Sequence, residues 1–183
     1  MTFERFRLTQ KSAFRYPVDP APRTAVLAAC FRQTRFPAKS PIRVFPQGWS
    51  EEVAAFAPAA VAAERGQLLA LAALDRPPAF THAVIVLESP GDAPLSDGER
   101  EHLWRAFRVP VFEQIIGPHG KLLAADCEAH DGLHVETSGL LWADVQWPGY
   151  RLESAACGCG RKTPRLVCAI PAERARSVVA SAK

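Results

Sequence analysis

A strand–helix–strand pattern in residues 81–116 constrains the fold of this chain most strongly. The run His82–Leu87 is short, apolar and rich in β-branched residues, as expected of a strand buried on both faces. After a loop, Ser96 and Glu99 form a capping box that begins a helix. Arg108–Ile116 then predicts a second strand, at the spacing of a βαβ crossover. We therefore predict an α/β fold, with a mixed sheet that contains at least one βαβ unit and has helices packed on it.

The chain divides by composition near residue 80. Residues 1–80 predict a basic and Ala-rich helical region that packs on the sheet, and residues 81–183 predict the α/β region. A length of 183 residues favours one compact domain. In the first region we expect helical structure that begins at Ser50 and runs through the Ala-rich stretch to about Leu74, divided or kinked at Pro58 and Gly66. We also expect a short helix at Thr24–Phe31 and a short strand at Ile42–Phe45. In the second region we expect strands at Lys121–Cys127, Leu133–Glu136 and Leu140–Gln146, and a helix at Arg174–Ala182.

The charge of the chain is distributed unevenly. Residues 1–50 carry nine Lys or Arg against two acidic side chains, residues 51–147 carry six against fifteen, and the formal net charge is +3. We interpret the segments of opposite sign as packed against one another or solvated, and a basic arm that holds a polyanion is the alternative. No apolar run approaches the ~18–20 residues of a membrane span, and the start of the sequence has no apolar region of a signal peptide. We expect a cytoplasmic protein with no membrane partner.

Cysteine and histidine residues predict a metal site. Zn²⁺ prefers four thiolate or imidazole ligands in a tetrahedron. Cys157 and Cys159 lie in a Cys-Gly-Cys-Gly turn that begins 30 residues after Cys127, and a histidine near Cys127 would complete the set. His134 lies in an alternating strand, whereas His130 lies in the turn before it, so the residues alone leave both histidines open. Cys30 and Cys168 lie among apolar neighbours and are predicted to belong to the core.

The stretch 81–166 resembles part of the phenylacetate–CoA ligase-like branch of the adenylate-forming enzymes. The resemblance rests on the strand HAVIVLES, the helix PLSDGEREHLWRAF, the segment ADCEAHDGLHVE and the turn CGCGR. It implies the fold of a subdomain of such an enzyme and a structural Zn²⁺. The ligands that it implies are Cys127, His134, Cys157 and Cys159, because the family's histidine directly follows a Gly-Leu pair.

The sequence also departs from the motifs of this family, and the departures predict that the family's ATP chemistry is lost. The Ser/Thr/Gly-rich phosphate loop has no match in residues 1–80. The family has an aromatic-Gly-x-Thr/Ser-Glu motif whose ring packs on adenine and whose glutamate helps to hold Mg²⁺, and here that position is occupied by Glu113–Gly117. The family's ribose-binding aspartate has no clear counterpart in Tyr150–Ser154, and nothing in the sequence matches the hinge and mobile domain that carry the catalytic lysine. We therefore expect a pseudoenzyme with no catalytic residues and no organic cofactor.

Three functions remain as hypotheses. The first is a zinc-stabilised, non-catalytic binding or accessory module, whose partner is an unidentified protein or an acyl-activating system. The second is an enzyme that retains an acyl- or nucleotide-handling step or uses the metal itself, with Glu128, Asp131 or Glu136 as the general base. The third is a nucleic-acid-binding zinc protein, in which aromatic residues such as Phe14 and Phe31 stack on bases beside arginines. No recognised nucleic-acid-binding motif supports the third.

Overall fold

The structure is a computed structural model that describes residues 14–32, 36–37, 39–136 and 147–169. Within these ranges, nine strands form one mixed sheet. They are β1 (Thr24–Leu27), β2 (Ile42–Val44), β3 (Ala60–Glu64), β4 (Ala83–Glu88), β5 (Val111–Gly117), β6 (Lys121–Ala125), β7 (Leu133–Val135), β8 (Tyr150–Glu153) and β9 (Arg165–Cys168). The α-helices of the same residues are α1 (Glu51–Phe56), α2 (Arg65–Ala72) and α3 (Asp97–Phe107), and short 3-10 helices lie at Ala29–Phe31 and Pro118–Gly120.

The sheet has a parallel half and an antiparallel half. Its strand order is β2-β1-β3-β4-β5-β6-β7-β9-β8. The pairs from β2 to β5 are all parallel, and those from β5 to β8 are all antiparallel. The predicted mixed α/β sheet with βαβ units is therefore confirmed, and β4-α3-β5 is one of those units.

The two faces of the parallel half bury different partners. Val53 of α1, Leu68 of α2 and Leu103 of α3 pack on one face, which we call the helix face. Phe14 and Phe31 pack on the opposite face. The connection from β1 to β2 moves along the sheet in one direction and all later parallel connections move in the other. Right-handed crossovers place such connections on opposite faces, which explains why Phe31 and the helices are separated by the sheet.

The Ala-rich stretch is interrupted, as Pro58 and Gly66 predict, but it contains a strand, β3, where the sequence predicts only helix. α1 ends at Phe56, where Ala57 adopts a left-handed conformation (φ 47°), and the chain then enters β3. Ala60 and Ala63 in β3 are both fully buried, and their small side chains let β3 lie between β1 and β4 with both faces covered. The helix prediction for this segment is wrong because sheet pairing outweighs the helix propensity of alanine.

Of the other predicted local features, one is confirmed, one is wrong and two lie outside the described residues. The capping box of Ser96 and Glu99 is confirmed, since the backbone N–H of each residue donates to the side chain of the other. The helix predicted at Thr24–Phe31 is wrong, because Thr24–Leu27 is a strand and only Ala29–Phe31 turns as a 3-10 helix. The strand predicted at 140–146 and the helix predicted at 174–182 lie outside the described residues.

The longest described helix, α3, has 11 residues, and none of the described helices is long and apolar enough to cross a membrane.

Candidate metal centre

Three separate segments of the antiparallel half bring four ligand-type side chains together. Cys127 follows β6, His134 lies in β7, and Cys157 and Cys159 lie in the loop between β8 and β9. One ligand atom from each residue lies within 4.8 Å of all the others. Cys127, His134 and Cys157 are buried and Cys159 is partly exposed. This buried group of three thiols and one imidazole could hold a metal ion.

Two of the spacings between ligand atoms are close to those around a tetrahedral zinc ion. With Zn–S bonds of ~2.3 Å and a Zn–N bond of ~2.0 Å, a tetrahedron puts two sulfurs ~3.8 Å apart and a sulfur and a nitrogen ~3.5 Å apart. The Sγ atoms of Cys127 and Cys157 are 3.7 Å apart. Cys159 Sγ lies 3.3 Å from His134 Nε2. The donor set is also the one that structural zinc prefers, because three thiolates and an imidazole fill all four positions.

Two tight turns place the cysteines and the histidine. In the Cys157 loop, the N–H of Gly160 donates to the Cys157 carbonyl at 2.9 Å, and Gly160 has a φ of +83°, which a glycine adopts without strain. Before β7, Gly132 has a φ of +91°, and a Cβ atom there would lie 2.7 Å from the carbonyl oxygen of Leu166. Only glycine therefore allows the turn before His134 to lie so close to β9.

Thr163 fixes the ring of His134 in the orientation that a metal requires. His134 Nδ1 lies 2.8 Å from Thr163 Oγ1, and its Nε2 faces the cysteines. A hydrogen bond from Nδ1–H to the hydroxyl oxygen leaves the lone pair on Nε2. Burial, together with the charges of Arg161 and Arg165, lowers the pKa of His134. The imidazole is therefore held neutral, as metal binding demands.

The two buried thiols lie in different electrostatic surroundings. Burial raises the pKa of Cys127 to about 12. Burial acts in the same direction on Cys157, but hydrogen bonds from the Cys159 backbone and side chain and the charge of Arg165 outweigh it, so the pKa of Cys157 is lowered. Both cysteines must lose their protons to bind a metal, so metal affinity increases with pH.

Arg165 is a component of the site that the sequence motifs did not single out. Its side chain is 3% exposed, and it faces His134 in the register between β7 and β9. The guanidinium pairs with Asp131 and with Glu153. Three thiolates around a divalent ion leave a net charge of −1, and a buried arginine beside Cys157 compensates for that charge. Its position six residues after Cys159 is the only signal that the sequence offers for this role.

The structure places His130 outside the group of four. Its ring stacks on Phe112, with centroids 4.7 Å apart, and its Nδ1 lies 3.0 Å from a carboxylate oxygen of Asp126. The backbone of His130 is left-handed (φ 48°), and its side chain is 41% exposed. Of the two histidines that the residues alone left open, only His134 lies within reach of the cysteines.

The remaining candidates from the sequence are dispersed. Glu136 pairs with Arg15 at 2.5 Å, Asp131 pairs with Arg165, and Glu128 is exposed. The prediction that Cys30 and Cys168 belong to the core is wrong, since both are exposed. Phe14 and Phe31, offered as possible stacking residues, pack in the core, with ring centroids 6.3 Å apart.

The segment at the position of the family's nucleotide motif is buried. All seven residues of β5, which include Glu113–Gly117, are buried. The carboxylate of Glu113 accepts a hydrogen bond from the Tyr150 hydroxyl and pairs with Arg100 at 3.4 Å. The Gln114 side chain donates to the backbone carbonyl of Arg15 at 2.5 Å. The Glu113 carboxylate and the side-chain NH₂ group of Gln114 are therefore bound by the protein itself, whereas Gln114 Oε1 has no partner among the described residues.

Comparisons with known proteins support the fold. No protein-family model matches the sequence, and no curated protein matches it. Among solved structures, the chain is similar to an open conformation of 2-hydroxyisobutyryl-CoA ligase in complex with 2-HIB-AMP and CoA. The TM-score is 0.52, the sequence identity is 15%, and the match covers 81% of this chain and 44% of that chain. The chain thus shares its fold with less than half the length of that CoA ligase.

Proposed function

We propose that this chain is a zinc-stabilised, non-catalytic binding module built on the fold of adenylate-forming ligases. The observation that carries the proposal is the closed donor set of Cys127, His134, Cys157 and Cys159. A catalytic zinc keeps one position open for water or substrate, whereas four protein ligands leave none. The metal then serves the fold, by joining the segments that follow β6 and β8 to β7.

The absence of ATP chemistry is part of the same proposal. In the resemblance to the ligase family, Glu113–Gly117 occupies the place of the nucleotide- and Mg²⁺-binding motif. Glu113 is 2% exposed and already bound to Tyr150 and Arg100, so it offers no free carboxylate to a metal–nucleotide complex. This supports a role in binding, either to a partner protein or to an acyl-activating system, rather than in acyl adenylation.

Metal analysis of two matched variants tests the structural zinc. We expect the purified protein to contain about one equivalent of zinc and Cys159→Ser to lose it and to melt several degrees lower. Cys168→Ser is the control, because Cys168 is exposed and lies outside the group of four. Wild-type protein without metal, or a melting temperature that a strong chelator leaves unchanged, would contradict the proposal.

Pyrophosphate exchange tests the non-catalytic role. We expect no exchange of labelled pyrophosphate into ATP when the zinc-loaded protein is incubated with Mg²⁺ and small carboxylic acids, including phenylacetate and 2-hydroxyisobutyrate. A rate above that of a no-acid control, proportional to protein concentration, would overturn the non-catalytic role while leaving the zinc site untouched.

A further inference from the structure

The metal centre contains three cysteines whose sulfur atoms lie close to one another. All five cysteines of the chain are free thiols, and Cys127, Cys157 and Cys159 are those of the centre. The sulfurs of Cys127 and Cys157 are 3.7 Å apart, and Cys159 Sγ lies within 4.8 Å of both. A disulfide bond is ~2.05 Å long. Any two of these sulfurs are therefore within a few ångströms of bonding distance, so the same group that could hold a metal could also form a disulfide.

The positions of the cysteines in the chain favour Cys127 as one partner of that disulfide. Only Gly158 separates Cys157 from Cys159, so a disulfide between these two would close a tight ring with strained geometry. Cys127 lies 30 residues before Cys157, in the separate segment that follows β6. A disulfide from Cys127 to the loop between β8 and β9, the Cys157 loop, forms without that constraint.

Of the three cysteines in the centre, Cys159 is the most exposed to solvent. Cys127 and Cys157 are buried, whereas Cys159 is only partly buried. A cavity of about 200 Å³ also lies beside His134, and Arg161, two residues after Cys159, helps to line it. Oxidation of a cysteine follows its exposure and its thiolate character. A small oxidant in solution is therefore expected to react first at Cys159.

We infer that the metal centre is a redox switch, in which a hydroperoxide oxidises the centre to a disulfide between Cys127 and the Cys157 loop and the metal is released. The disulfide consumes two of the four ligands, and a structural zinc needs all four. The segment after β6 stays joined to the Cys157 loop, but His134 in β7 loses its link to both. The inference rests on the proposed function and deepens it, because it makes the structural metal a point of regulation.

The oxidation proceeds in two steps that together transfer two electrons from sulfur to the peroxide. The sulfur of Cys159 first attacks one peroxide oxygen, so that an S–O bond forms, the O–O bond breaks and the departing hydroxide takes a proton to become water. The sulfur of Cys127 then attacks the resulting sulfenic acid, so that the S–S bond forms and the S–O bond breaks. The second hydroxide also leaves as water. Two thiolates, one peroxide and four protons, of which the peroxide itself supplies two, thus become one disulfide and two waters.

Treatment of the zinc-loaded protein with hydrogen peroxide tests the switch. A chromophoric chelator measures released zinc, and mass spectrometry after alkylation and trypsin digestion locates the disulfide. Trypsin cleavage after Lys121, Arg151 and Arg161 places Cys127 in peptide 122–151 and the other two cysteines of the centre in peptide 152–161. We expect one disulfide that links these two peptides for each zinc released, within a monomer on a non-reducing gel. A thiol reductant followed by zinc should restore the original zinc content.

Two variants test whether the reaction begins at Cys159. Cys159→His removes the partly exposed thiol and keeps four ligands, since two thiolates and two imidazoles also form a structural zinc site. We expect this variant to bind zinc and to release it roughly tenfold or more slowly in peroxide, because its two remaining thiols are buried. The double variant Cys30→Ser, Cys168→Ser is the control. Both of these cysteines are exposed and lie outside the centre, so it should release zinc at the rate of the wild type.

The outcomes separate the switch from the proposed function. Zinc that stays bound while Cys30 and Cys168 are oxidised, or a disulfide confined to peptide 152–161, would overturn the switch and leave the structural zinc intact. Zinc release that reductant and zinc do not reverse would overturn it as well. Protein that contains no zinc before the peroxide is added would instead contradict the proposed function. If Cys159→His fails to hold zinc, the link between the two tryptic peptides in the wild type decides.

Discussion

At the residue scale, the hydroxyl of Thr163 orients the imidazole of His134 in the candidate metal centre. It lies 2.8 Å from His134 Nδ1, whereas the Nε2 atom of that ring faces Cys159. An outer partner of this kind orients the ring and selects its tautomer. Its contribution is therefore to metal affinity rather than to the overall fold.

Thr163→Val should weaken zinc binding about 10- to 100-fold, because it keeps the shape of the side chain and removes the acceptor of the Nδ1 hydrogen bond. Competition with a chromophoric chelator measures the affinity. Thr163→Ser retains the hydroxyl and should bind zinc nearly as tightly as the wild type. Equal affinities for the valine and serine variants would show that the hydroxyl does not orient the ring.

Glu88, at the end of β4, makes stability depend on pH. It is 6% exposed, and burial raises its pKa from 4.5 to about 7, although Arg65 pairs with it at 2.7 Å and opposes the shift. A carboxyl group whose pKa is raised by folding binds more protons in the folded state than in the unfolded state. Its contribution to stability is therefore fully present below about pH 4.5 and is lost as the pH rises through about 7.

Glu88→Gln should remove this dependence. Between pH 4.5 and 8, the free energy of unfolding of the wild type should fall relative to that of the variant, by up to about 3 kcal/mol at ~1.4 kcal/mol per pKa unit. Urea unfolding at several pH values measures the difference. Glu101→Gln is the control for the loss of a surface carboxylate, since Glu101 is 57% exposed in an ion pair with Arg105. A difference between wild type and Glu88→Gln that does not change with pH would contradict the raised pKa.

At the scale of the strands, Gly132 allows the turn before β7 to lie against β9. The turn before β7 lies against β9 so closely that a Cβ on Gly132 would also come within 2.7 Å of Val167 Cγ1. The backbone there is left-handed, with a φ of +91°. Any side chain at this position must therefore both strain the turn and separate β7 from β9.

Gly132→Ala should lower the free energy of unfolding by about 2 kcal/mol or more and should weaken zinc binding, because it moves His134 away from the Cys157 loop. Gly66→Ala is the matched control. Gly66 lies in α2, and a Cβ atom there would meet nothing within 4 Å, so alanine should raise stability by about 0.5–1 kcal/mol. Thermal and urea unfolding measure both effects, and a neutral Gly132→Ala would show that β7 can move without cost.

At the scale of the whole molecule, different interactions stabilise the parallel half and the antiparallel half of the sheet. In the parallel half, β3, β4 and β5 are covered on both faces by large apolar clusters. In the antiparallel half, β7 has three residues and a smaller cluster covers this part of the sheet. The proposed zinc compensates for that smaller core, because it joins three segments of the antiparallel half at one point.

Removing the metal should therefore loosen one half of the molecule first. Hydrogen–deuterium exchange after treatment with a strong chelator should show faster exchange of backbone amides in β7, β8 and β9, with β3, β4 and β5 still protected. Re-addition of zinc should restore the protection. Uniform loss of protection across the sheet, or none at all, would contradict a local structural role for the metal.

Local patterns in the sequence are sufficient for the features that depend on neighbouring residues. The capping box at Ser96 begins α3 because its two hydrogen bonds form within four residues, and the β-branched run of β4 is confirmed as a buried strand. The Cys-Gly-Cys-Gly turn likewise identifies Cys157 and Cys159 as candidate metal ligands, because the turn lies within four consecutive residues.

The tertiary structure decided what depends on distant partners. Ala60–Glu64 has the composition of a helix, but pairing with β1 and β4 on either side makes it a strand, since a central position in a sheet satisfies its backbone and buries both of its faces. His130 and His134 are both near Cys127 in the sequence, and the pairing of β7 with β9 brings His134 rather than His130 to Cys159. The burial of Arg165 beside the candidate site arises in the same way, because strand order and register, which no single segment encodes, determine the neighbours of each side chain.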